Sequence, residues 1–171
     1  MAYQPVLKYG YPEAQHYERE YQDFWKTQID RCIKGYKPPG YSWIPGRYYF
    51  YLNFIKMHTA FGGSKRKTLD YPYYRDIDHE YFAKVEEARE NQKGLIVLKA
   101  RRKGMSMNNV GGIAVYEATM QKGCNIGIGC YLENDVEEFR RKFEYLYSYL
   151  PKYLVQSRIS DNKDEVLFGK K

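Results

Sequence analysis

An apolar run, Leu95-Ile96-Val97-Leu98, leads straight into a basic turn, Lys99-Ala100-Arg101-Arg102-Lys103-Gly104-Met105-Ser106. Four apolar residues between Gly94 and a charged turn predict a short strand inside a parallel sheet. Beyond the turn, Val110, Ile113, Ala114, Val115 and Ala118 recur at helical spacing and predict a helix. A second strand is expected at 124–130, where Cys124 and Cys130 alternate in phase with Ile126 and Ile128 and read as small core residues. The next helix carries Val136, Phe139, Phe143, Leu146 and Leu150 at spacings of three and four. Asn134 is its candidate cap, Glu137 completes a capping-box arrangement, and Pro151 ends it. Strand, loop, helix, strand, helix predicts an α/β fold, a P-loop NTPase-like parallel sheet with flanking helices and right-handed crossovers.

The first 92 residues differ in texture and predict a separate α+β region. Pro12 opens a helix with Tyr17, Tyr21, Phe24, Trp25, Ile29 and Cys32 on one face, and Gly35 with Pro38-Pro39-Gly40 ends it. Ile44-Pro45-Gly46-Arg47 is a turn signal before an aromatic run at 48–55, which reads as a half-buried strand. Residues 61–64 form a loop, and 65–69 a short partner strand. A helix is expected over 78–92, capped by Asp76 or Asp78 and stopped by Gly94, with Phe82, Val85 and Arg89 along one side.

The basic turn carries the chemistry. Against the pattern G-x-x-x-x-G-K-[ST] it departs twice: Ala100 or Lys99 stands at the first glycine position, and Met105 at the lysine. The underlying requirements are still met. Gly104 permits close backbone approach, Ser106 supplies a hydroxyl for Mg²⁺, and Lys99, Arg101, Arg102 and Lys103 supply cations for a triphosphate. Taken without its neighbours, Arg-Arg-Lys would suit any solvated turn; the preceding apolar run and the following helix favour a phosphate-binding loop.

The segment from Lys99 to Ser106 resembles the altered Walker A of the large terminase subunits of tailed bacteriophages, ATPases that drive DNA into preformed capsids. Some members place the lysine first in the loop, where Lys99 sits, and many carry an arginine where Arg101 or Arg102 sits. The resemblance implies catalytic roles for Lys99, against β/γ charge, and Arg101, at the γ-phosphate. It implies ATP contacts from the backbone of Arg102, Lys103, Gly104, Met105 and Ser106, with Mg²⁺ on the Ser106 hydroxyl. Tyr73-Tyr74-Arg75-Asp76 falls about where the family contacts adenine, so Tyr74 by stacking and Arg75 by hydrogen bonding are further candidates. The implied partners are double-stranded DNA, the portal, the small terminase subunit and a homo-oligomeric ring, in the host cytoplasm. Residues 1–92 would then be an N-terminal region, and 93–171 the front half of a P-loop ATPase core.

Hydrolysis also needs an acidic residue at the end of an apolar strand. After Pro151 the one apolar triplet, Val166-Leu167-Phe168, runs into Gly169-Lys170-Lys171. Turnover by these 171 residues alone is therefore not expected. A helicase-like P-loop ATPase and a non-catalytic basic module that binds DNA or docks on a capsid component are the alternatives.

Composition agrees with an anionic partner. The net charge is +7, with basic clusters at 65–67, 101–103, 140–142 and 170–171, and there are 20 tyrosines among 171 residues. Interleaved aromatic and basic side chains can hold nucleic acid, but Tyr48, Tyr49 and Tyr51 beside Phe50 and Phe54 suit a half-buried strand better than a stacking platform. Three cysteines without C-x₂-C spacing, and His16, His58 and His79 without a partner at helical spacing, provide no zinc site. No stretch is apolar for long enough to cross a membrane.

Overall fold

The computed structural model describes residues 3–8, 18–60, 67–100, 103–161 and 166–168. The protein is mixed α/β, with helices predominating. In chain order the elements are α1 (Arg19–Lys34), α2 (Gly46–Phe54), β1 (Met57–Ala60), β2 (Lys67–Asp70) and α3 (Asp76–Glu90). A helical run over 105–120 follows, made of α4 (Met105–Met107), a π-helical segment (Asn108–Val115) and α5 (Tyr116–Met120). The last elements are α6 (Glu133–Ser148), β3 (Arg158–Asp161) and β4 (Val166–Phe168).

α1 buries Tyr21, Trp25 and Cys32 and stops at Gly35, whose φ is 80°. The expected start at Pro12, with Tyr17, lies outside the described residues, as does the loop at 61–64. The aromatic run at 48–55 is not a strand. It lies almost wholly within α2, every residue of which is buried. A helix surrounded on all sides by protein shows no polar face, so aromatic content mimics strand propensity there. α2 forms the centre of the core. Trp25 of α1 lies 6.0 Å from Phe54 and stacks on Tyr153 at 4.7 Å, while Phe82 of α3 stacks on Tyr48 at 5.1 Å. One hydrophobic cluster runs from Leu7 to Leu154 and draws on α1, α2, α3, the π segment, α5 and α6.

The expected parallel sheet is not present among the described residues. The sheets there are two antiparallel pairs, β1 with β2 (Met57 opposite Asp70) and β3 with β4. The short strand foreseen at 65–69 coincides with β2 over 67–69, 65–66 lying outside the described residues, and its partner is β1 and not the aromatic run. Segments 95–98 and 124–130 carry no regular secondary structure, and no backbone hydrogen bond between described residues joins them to a neighbour. The first segment keeps a strand's alternation only in its side-chain exposure. Leu95 and Val97 face a cleft, whereas Ile96 and Leu98 are 90% and 94% exposed. Cys124 is exposed and Cys130 half-buried, so neither is a core residue as expected.

Caps differ from expectation as well. α3 begins after Arg75 with no side-chain cap, and α6 begins after Leu132, so neither Asp76, Asp78 nor Asn134 serves as foreseen. α3 ends at Glu90, with Gln92 taking the positive φ (53°) in place of Gly94. The stripe of α6 is buried only toward its end. Leu146 and Leu150 are in the core, Phe139 and Phe143 are half-buried, and Val136 is exposed.

Candidate nucleotide site

The basic turn opens the helical run 105–120. Gly104 sits immediately before it with φ 82°, a left-handed conformation that costs a side-chain-bearing residue about 1–2 kcal/mol. The Gly104 carbonyl accepts from the Met107 and Asn108 amides at 2.9 and 3.2 Å, closing the first helical turn. Lys99, Lys103 and Gly104 are exposed, Ser106 is half-buried, and Met105 is buried as the first core residue of the helix. The Ser106 hydroxyl is thus not sealed inside. Arg101 and Arg102 lie outside the described residues.

Beside the turn lies a cleft of about 600 Å³, lined by Lys99, Leu95, Val97, Met105, Ile126 and Ile128 among others. Lys99 is among its lining residues and Ser106 is not. Its walls draw on segments 95–99 and 126–130, α3 and the π segment.

The structure brings Arg75 to this turn. Its Nη2 donates to the Lys103 carbonyl at 3.2 Å, and a Cβ on Gly104 would lie 3.1 Å from that nitrogen. The guanidinium is held by Asp78, with Nε to Oδ2 at 2.6 Å and Nη2 to Oδ1 at 2.7 Å. This pairing raises the Arg75 pKa above its ordinary value. The backbone of Arg75 is fixed too: its amide donates to the Tyr48 hydroxyl at 2.9 Å, and that hydroxyl donates to the Arg75 carbonyl at 3.1 Å. Burial pushes the Tyr48 phenol well above its usual pKa.

Tyr74 faces a different neighbourhood. It packs among aromatic rings, 5.0 Å from Tyr41, 5.5 Å from Tyr48, 5.9 Å from His79 and 6.2 Å from Tyr3. The adjacent Tyr74 and Arg75 therefore link an aromatic cluster to the basic turn.

Asp78 and Asn108 were missed in the pattern. Asp78 is buried at the first turn of α3, and Asn108, fully buried, donates from Nδ2 to its Oδ1 at 2.8 Å. The Arg75–Asp78 spacing of three within a helix start was the available signal; nothing local pointed to Asn108.

For Mg²⁺, the described residues contain no cluster of three or more acidic, histidine or cysteine side chains. The half-buried Ser106 at the head of a helix, with exposed Lys99 and Lys103 preceding it in the chain, fits an ion that arrives already bound to phosphate oxygens. No helix among the described residues is long and apolar enough to cross a membrane. No model of a known protein family, no curated protein and no solved structure matches this chain.

Proposed function

We propose that this chain carries the ATP-binding part of a DNA-packaging motor of the large terminase type. The observation that carries the reading is the turn at 99–106. An apolar stretch precedes a basic one in the chain, Gly104 turns left-handed, and a helix starts with a half-buried Ser106 at its second residue. Helix amides and dipole would hold the triphosphate. Lys99 and Lys103 would neutralise its charge, and Ser106 would hold Mg²⁺. Arg101 remains the candidate for the γ-phosphate, and Arg102 for a backbone contact to the triphosphate. Arg75 stands at the turn with 42% of its side chain exposed, within the region assigned to adenine. The net charge of +7 supports double-stranded DNA as the polymer on which such a motor acts, with portal, small terminase subunit and ring assembly following from the same reading.

Calorimetric titration with MgATP tests it. The parent chain binds, and Lys99→Ala and Ser106→Ala each weaken binding by tenfold or more. Equal affinity in all three proteins would remove the site from this turn.

A further inference from the structure

We propose that Asp78 is the positioning residue of the loop, clasping the stretch from Lys103 to Asn108 around Gly104 within the turn that the nucleotide reading requires, on which this inference rests. Its side chain is 1% exposed and accepts from two donors: Arg75, which also holds the Lys103 carbonyl, and Asn108. Through Arg75 it reaches the Lys103 carbonyl, just before Gly104. Directly, it accepts from Asn108, at the end of the first helical turn. Oδ1 receives both Arg75 Nη2 and Asn108 Nδ2, so one oxygen ties the segment before the glycine to the segment after it. Only the amide nitrogen of Asn108 can donate to a carboxylate, so its orientation is set.

The base of the clasp is itself tied into the core. Asp78 lies in the first turn of α3, where its amide donates to the Arg75 carbonyl at 3.0 Å, and that same carbonyl accepts from buried Tyr48. Core packing of Tyr48 against Phe82 thus fixes Arg75, Arg75 and Asp78 fix each other, and the pair sets the turn. A loop that must present its amides to phosphate gains affinity when it is held beforehand in one shape. Asp78 touches no ligand in this scheme; it acts through Arg75 and Asn108.

Asp78→Asn, Arg75→Gln, the double variant and the core control Leu154→Ala separate this role from a merely structural one. Two quantities are read: hydrogen exchange at the Met107 and Asn108 amides without nucleotide, and MgATP affinity. The clasp requires that Asp78→Asn and Arg75→Gln each speed that exchange at least tenfold and weaken MgATP at least tenfold. The double variant is then no worse than the worse single, and Leu154→Ala lowers the melting temperature without changing affinity. Unchanged exchange in both single variants overturns the proposal, as does a loss of affinity no greater than that of Leu154→Ala. If Asp78→Asn does not fold, the nucleotide-free exchange of Arg75→Gln decides, since the Arg75 side chain is half in solvent and that variant's affinity would also report a direct ATP contact. If the parent fails to bind MgATP, the nucleotide reading falls and the exchange measurement alone decides the clasp.

Discussion

The ring of Phe82 lies directly against Gly112: a Cβ on that glycine would sit 2.2 Å from Phe82 Cζ. The contact lets α3 and the π segment approach as closely as a bare backbone allows, and Phe82 is fully buried there. Gly112→Ala is therefore expected to lose about 1–3 kcal/mol through overpacking, in spite of alanine's better helix propensity. Urea denaturation measures this, and Phe82→Leu in the same background recovers part of the loss.

A buried ionic cluster joins α2, α3 and α5. Arg47, 4% exposed at its side chain, donates to both oxygens of Glu86 at 2.6 Å and from Nε to Glu117 at 3.0 Å; Arg89 donates to Glu117 at 2.6 Å. Removing one member leaves an uncompensated charge, so Arg47→Ala should cost about 3–5 kcal/mol. Replacing Arg47 and Glu117 together by methionine should cost less than the sum of the two single changes. A double-mutant cycle read by equilibrium unfolding checks the sign of that coupling.

Alkaline pH should unfold the protein through its tyrosines. Burial raises Tyr3 to about 12 and pushes Tyr48, Tyr49 and Tyr51 higher still, from an ordinary value of 10.0. Above pH 10 the unfolded chain has released these protons while the folded one retains them. Stability is accordingly complete below pH 10 and falls as pH rises through the folded values. Tyrosinate absorbance and helical circular dichroism, recorded together, should show these phenols ionising only as the helices are lost.

Which parts of this arrangement could be read from residues alone depends on whether a segment shows a polar face. α1 and α3 do: Trp25 and Cys32, and Phe82 and Val85, fell on the faces that periodicity assigned, and Gly35 stopped α1 as a left-handed residue should. α2 does not. Its burial on every side erased the alternation that separates helix from strand, and 48–55 was misread. Segments 95–98 and 124–130 have strand composition, but a strand exists only with a neighbour, and neither has one among the described residues. At the candidate site, Gly104 and the helix after it matched the pattern. Asp78 and Asn108 did not, because their roles come from bringing α3 against the turn.

The same unpaired segment carries a solubility prediction. Ile96 and Leu98 are at least nine-tenths exposed on a stretch without regular secondary structure, and large apolar side chains so exposed invite association. Replacing both by serine should reduce light scattering of concentrated solutions and leave the melting temperature within about 1 °C, since surface changes away from packed features shift stability by roughly 0.5 kcal/mol or less. A drop of many degrees would mean that these side chains pack against something in solution.

The reading of the turn at 99–106 is tested most directly by hydrogen exchange with and without saturating MgATP. Slowed exchange at Lys103, Gly104, Met105 and Ser106, lost in Lys99→Ala, is the predicted result. Unchanged exchange at these four amides, with MgATP bound elsewhere or not at all, would contradict it.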